Sequence, residues 1–134
     1  MEEKLEGLDP DTVSQRSLAF LGDAVYELKI RAMVLYGFNG PVGDLNVITK
    51  ELSAAKAQAK IADGLKDFLS EEETRIYKRG RNVKGVPAPH SCSVGEYRKA
   101  TGLEALLGYL YILGDEKRID EIMQEAVRIY EDRK

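Results

Sequence analysis

The chain has 134 residues, enough for one hydrophobic core and too few for two ordinary domains. Apolar residues make up 43% and charged residues 32%, a balance that excludes intrinsic disorder, and no stretch approaches the ~18 uncharged apolar residues of a membrane span. The net charge of −3 argues against a nucleic-acid partner only until its distribution is considered: between Arg75 and Lys99 seven bases face one acid, Glu96, so this segment carries +6 and the rest of the chain −9.

No segment alternates with the period of a strand, so the expected class is all-α: one domain over residues 1–134 with its core at about 13–130. The start, MEEKLEGLDPD, lacks the basic and apolar regions of a signal peptide, and a cytoplasmic location is expected. A first helix is expected from residues 13–16 to about 36, with Leu18, Leu21, Val25, Leu28, Ala32 and Leu35 at helical spacing. Phe20, Ala24 and Ile30 widen that stripe, so its first half is expected to be buried nearly all round. GFNGPVG at 37–43 breaks it.

The alanine- and lysine-rich stretch 44–64 has the propensity for one second helix. After Gly64 and the short piece LKDFL, Ser70 and Glu73 form a capping box for a helix reaching about residue 79. The Gly-, Pro- and Ser-rich residues 80–95 read as a long exposed loop holding His90 and Cys92, of which no chemistry is expected. As the one cysteine, Cys92 has no internal disulfide partner, and no His or Cys cluster points to zinc. A helix at 96–113 carries Leu103, Leu106, Leu107, Leu110 and Leu113 on its apolar side and ends at Gly114. The last helix, 116–131, is amphipathic through Ile119, Ile122, Met123, Ala126, Val127 and Tyr130. Tyr26, Tyr109 and Tyr111 read as packing residues.

Two acids, Asp23 in LAFLGDAVYE and Glu104 in ATGLEALLGYLYIL, fall in segments that read as core. An isolated buried carboxylate is costly and is normally paired, hydrogen-bonded, neutralised or bound to a metal. From the residues alone the alternatives stay open: Asp23 caps a helix start after Gly22, Glu104 faces a groove or solvent, or the two form a site.

The stretch FLGDAVYE resembles the signature of the ribonuclease III family, and LEALLGYLYILGD resembles that family's second acidic helix. The length, the lack of a C-terminal double-stranded RNA-binding domain and the KRGRN run resemble its short Mini-ribonuclease III subfamily, over about residues 13–130. The resemblance implies a helical endonuclease domain that cuts double-stranded RNA with a divalent metal, Mg²⁺ or Mn²⁺ in its place. Asp23 and Glu104 fall at the positions of the catalytic, metal-holding acids. It also implies a homodimer with the duplex between subunits, and ribosomal RNA precursor, especially that of the large subunit (23S), as substrate. Where the long enzymes carry further acids, this chain has Arg16, Ala19 and Thr101, which leaves the number of metals open. Those substitutions motivate a rival reading, a non-catalytic RNA-binding or ribosome-associated protein on the same fold. Glu27, one turn after Asp23, is either an assisting acid or a surface ion-pair partner.

Acids that act on phosphates need positive charge nearby. Lys78, Arg79, Arg81 and Lys84 are the expected RNA contacts, with Arg98 and Lys99 as secondary ones; the plain alternative is a basic helix end complementing its dipole. Such contacts would read A-form shape through phosphates and 2′-hydroxyls and weaken steeply with salt.

Overall fold

Polar caps and glycines punctuate six helices in the computed structural model, which describes residues 7–37, 42–84 and 87–132. A 3-10 turn at Pro10–Thr12 precedes α1 (Gln15–Gly37), α2 (Val42–Ser53), α3 (Ala55–Gly64), α4 (Glu71–Arg81), α5 (Val94–Leu113) and α6 (Glu116–Asp132). Among the described residues there is no strand, and the fold is all-α as expected. Residues 38–41 of the expected break and 85–86 of the expected loop lie outside the described residues, as does most of the acidic start.

The helix ends follow local chemistry. The Ser17 amide donates to Ser14 Oγ at the start of α1. Ser70 and Glu73 make the expected capping box, and a second one, Ser93 with Glu96, starts α5 two residues earlier than expected. Gly114 ends α5 in the left-handed conformation, φ 79°. The loop between α4 and α5 is correspondingly shorter than 80–95, because α4 runs on through Arg81.

Three expectations about packing need correction. The stretch 44–64 is two helices, not one: Ala54 is extended, with ψ 146°. The break is held by tertiary bonds that outweigh alanine's propensity: the buried Tyr26 hydroxyl donates to the Leu52 carbonyl at 2.7 Å, and Gln58 Nε2 donates to the Ser53 carbonyl at 3.1 Å. The first half of α1 is not buried all round; Leu18, Ala19, Gly22, Val25, Tyr26 and Ile30 face inward, while Phe20, Ala24, Leu28, Ala32 and Leu35 are exposed. Leu113 is likewise exposed, at the end of α5, whereas Leu103, Leu106, Leu107 and Leu110 are buried.

The middle of the molecule is α5, against which α1, α3, α4 and α6 all pack. Two glycine contacts set its distances to α1 and α4. A Cβ added at Gly22 of α1 would stand 1.6 Å from the Glu104 carbonyl oxygen, and one at Gly108 of α5 would stand 2.1 Å from the Leu18 carbonyl oxygen. On another side of α5, a Cβ at Gly102 would meet the Tyr77 carbonyl oxygen at 2.7 Å, and one at Gly80 of α4 would meet the Ala105 Cβ at 2.7 Å. The helices touch backbone to backbone, so no side chain spaces the elements that carry the acids.

α6 is pinned to α4 by Arg118, whose guanidinium donates twice to the buried Glu73, at 2.8 Å each, and lies over the Phe68 ring.

Gly22→Ala is expected to lower the unfolding free energy by about 3 kcal/mol or more, because backbone atoms cannot step aside for the methyl group. Gly43→Ala, whose added carbon meets nothing within 4 Å, is expected to stay within about 1 kcal/mol of the parent, on the stabilising side. Urea denaturation of both variants checks this; equal effects would contradict the close crossing.

Candidate functional site

On α1, Arg16, Ala19, Phe20 and Asp23 are spaced i, i+3, i+4 and i+7, which places them on one face. On α5, Tyr97, Thr101 and Glu104 share a face by the same rule. With Pro87 from the intervening loop, these residues line one open cavity of about 490 Å³. The contact of Gly22 with the Glu104 backbone brings the two faces together, so acids some eighty residues apart in sequence meet at one place.

Neither acid is a fully buried core charge, contrary to the reading of its segment. Asp23 is exposed and Glu104 half-buried, because both project from the open edge of the helix crossing. Burial, then a hydrogen bond that the protonated Glu104 donates to Asp23 and the charge of that residue, push the Glu104 carboxyl up to about 8, while the Gln58 amide acts in the opposite direction. Glu104 therefore keeps its proton into the neutral range when no cation lies beside it.

Arg16, Ala19 and Thr101, the three replacements in the acidic signatures, all line this cavity. Arg16 donates from Nη2 to the Lys84 carbonyl at 3.3 Å, which ties the start of α1 to the loop after α4. Among the described residues neither Asp23 nor Glu104 has an ion-pair partner. In the sequence Arg16 stands out only as a departure and Phe20 reads as core; the spacing of Arg16 and Phe20 from Asp23, and of Tyr97 from Glu104, is the signal that groups them with the acids.

The expected basic patch is divided. Lys78, Arg81 and Lys99 line a second cavity of about 470 Å³ together with Lys66, Asp63 and Tyr77. Lys99 pairs with Asp63 at 2.9 Å, and Arg81 lies over the Tyr77 ring and donates to Asn82. Lys99 sits two residues from Thr101, which turns it to roughly the opposite side of α5 from the acids. Arg79, Lys84 and Arg98 are exposed, and Arg98 stands closer to the acid face of α5. Glu27 does not line the acid cavity; it accepts from Ser53 Oγ at 2.6 Å and pairs with Arg31. His90 is exposed in the loop.

The donor set fits a hard divalent cation. Two carboxylates meet in a cavity open to water, and their mutual repulsion is what a cation between them would relieve. Among the described residues no third Asp, Glu, His or Cys completes a metal-holding group. A pair of carboxylates suits Mg²⁺, which keeps several waters and takes further oxygens from a phosphate.

The chain is similar to known proteins over most of its length. Residues 16–115 match the family profile described as Ribonuclease III domain. The Mini-ribonuclease 3 of Thermoanaerobacter sp. is 45% identical over 121 residues, covering 90% of this chain and 85% of that protein. That of Symbiobacterium thermophilum is 41% identical over 123 residues, 92% of this chain and 95% of the relative. A crystal structure of a Fusobacterium nucleatum protein, 39% identical, superposes with a TM-score of 0.76 and covers 87% of this chain and 93% of that one.

A carboxyl raised by folding stabilises the protein below its unfolded value and loses that contribution as pH rises toward its folded one. In chelator, the parent should therefore lose stability between about pH 5 and pH 8 as Glu104 is forced to ionise beside Asp23. Glu104→Gln should lose less over that range and be the more stable protein at pH 8, by a few degrees in Tm. Parallel pH profiles for the two proteins would contradict the coupling.

Proposed function

The chain belongs to the ribonuclease III family and is an endoribonuclease of it, and we propose that it cuts double-stranded RNA with a divalent cation held by Asp23 and Glu104. The observation that carries this is the meeting of these two carboxylates, free of ion-pair partners among the described residues, in one open cavity. Mg²⁺, or Mn²⁺ in its place, would supply there the orientation and activation of a water and neutralisation of charge on the phosphate and leaving oxygen.

The chain's own residues do the rest. Asp23 and Glu104 present hard oxygens from two helices whose separation is set by glycine, so their geometry needs no rearrangement when substrate arrives. Arg16, tethered to the Lys84 carbonyl, offers its remaining N–H groups to a phosphate entering the cavity. Arg98 and Lys84 extend that grip near the acids. Lys78, Arg81 and Lys99, on the other side of α5, and the exposed Arg79 hold backbone phosphates further along the duplex.

A single domain offers one acid pair, and cutting both strands calls for two sites of opposite orientation, which a two-fold homodimer supplies. Exposed apolar residues of α1, with Phe20 at 84% and Tyr36 at 95% exposure, are suited to such a contact. Structured precursor of large-subunit (23S) ribosomal RNA is the substrate that resemblance to the short subfamily implies, with a cytoplasmic site of action. Among the described residues no helix is long and apolar enough to cross a membrane.

With a long RNA duplex and Mg²⁺, the parent is expected to cut, while Asp23→Asn and Glu104→Gln bind without cutting; absence of cleavage in both Mg²⁺ and Mn²⁺ would overturn the reading. Neutralising the exposed Lys78 and Arg79 together is expected to weaken duplex binding and to lower the slope of log affinity against log salt by about 1 per lost phosphate contact. Unchanged affinity and slope would remove that surface from the RNA path.

A further inference from the structure

Contact with a duplex uses the rim of the second cavity and leaves its hollow unexplained. This space of about 470 Å³ is lined by four bases, Lys66 from the turn after α3, Lys78 and Arg81 from α4 and Lys99 from α5, and by one acid, Asp63. Asp63 is already engaged, since it pairs with Lys99 at 2.9 Å. Among the described residues Lys66 and Lys78 have no ion-pair or hydrogen-bond partner, and Arg81 donates only its Nε, to Asn82. Three cations thus face one concave space with no anion of the chain to balance them. Like charges around a hollow with low-dielectric walls repel one another and focus a positive field on whatever enters. The arrangement costs the fold stability, and an anion relieves it.

The walls are fixed before any ligand arrives. Lys78 and Arg81 stand one turn apart on α4, which is locked to α5 by the backbone contacts of Gly80 and Gly102. The turn that carries Lys66 is pinned from behind: the Phe68 carbonyl accepts from Arg118 Nη2 at 3.1 Å, and the Phe68 ring lies under that guanidinium. The pair of Lys99 with Asp63 joins α5 to the end of α3.

Shape and charge together select the occupant. The volume is that of a small-molecule site. A rigid A-form duplex carries its phosphates on a convex rod, so it meets cations at the rim and does not fill the hollow. A small anion with two or three linked phosphates can enter and reach cations from all three walls at once, through charge-assisted hydrogen bonds.

We propose that the cavity between α3, α4 and α5 is a binding site for a small polyphosphate, either a nucleoside di- or triphosphate or an inorganic polyphosphate, and that its occupant competes with duplex RNA for Lys78, Arg81 and Lys99. The competition rests on the reading of those three bases as RNA contacts; the site itself does not.

The test is isothermal titration calorimetry of the purified full-length protein with sodium tripolyphosphate and, separately, with ATP, both in chelator so that neither metal capture nor cleavage contributes. One ligand per chain is expected, with a Kd on the order of 100 μM. Lys66→Gln and Lys78→Gln replace exposed side chains without partners, and both are expected to keep or raise the parent's Tm and to bind about tenfold or more weakly. Lys117→Gln makes the same change of net charge on the exposed side of α6 and is expected to bind as the parent does. Equal affinity for the two ligands would support recognition of the phosphates alone, and tighter ATP binding would support recognition of a nucleoside as well, beside Tyr77. Absence of saturable binding by either ligand would overturn the proposal. So would an equal loss in Lys117→Gln and Lys66→Gln, which would reduce the site to attraction by net charge. At saturation, tripolyphosphate is also expected to weaken duplex binding beyond the effect of sodium sulfate at matched ionic strength, with about tenfold more of it needed in Lys66→Gln. If neither ligand binds while neutralising Lys78 and Arg79 still weakens duplex binding, the RNA path stands and only this inference falls. If tripolyphosphate binds and duplex affinity does not change, the RNA path through this cavity falls and the competition with it.

Discussion

The backbone contact between α1 and α5 is the constraint on which the rest of the site depends. With glycine at 22 and 108, the helices approach until the position of a Gly22 Cβ lies 1.6 Å from the Glu104 carbonyl oxygen. Any side chain there would push the helices apart and carry Asp23 away from Glu104. The same helix is approached by α4 through Gly80 and Gly102. α5 is thus gripped by close backbone contacts on two sides while its third face carries Tyr97, Thr101 and Glu104 to the cavity. Rigid elements, rather than loops, hold the functional groups, which is what precise placement of oxygen ligands requires.

The closeness has an electrostatic cost. Partial burial of Glu104, and then the Asp23 carboxyl beside it, disfavour its ionisation. The fold sets no Lys or Arg in an ion pair with either acid among the described residues, although Arg16 lines the same cavity and is tied off to a backbone carbonyl. Repulsion is left unrelieved within the chain, an arrangement that lowers stability and favours an incoming cation. Basic side chains line two separate cavities, Arg16 beside the acids and the Lys66, Lys78, Arg81 and Lys99 group beyond α5, so this second group does not quench the acids.

Much of this was legible in the sequence, and the failures have physical reasons. Local signals worked where the chain's own chemistry decides: Ser70 with Glu73, and Gly114 at the end of α5. Ser93 with Glu96 carried the same signal, but Gly95 between them made the start of α5 look later than it is. The single helix read into 44–64 failed because propensity is blind to the Tyr26 hydroxyl, which reaches Leu52 from another helix. Asp23 and Glu104 stood out because their segments read as core and because of the motifs around them; the first ground does not hold, since neither lies deep in the core. Helical spacing contained the division of the bases, with Lys99 turned away from Thr101 and Glu104, yet a run of charges reads as one patch until it is wrapped on a helix.

The central claim is that close crossing of two helices makes a cation site from Asp23 and Glu104. The most direct measurement is an anomalous difference map from crystals of the active enzyme soaked in Mn²⁺. The account predicts a peak between the two carboxyl groups, at a coordination distance of about 2 Å from an oxygen of each. A clear map with no peak there, or with its strongest peak held by other residues, would contradict it.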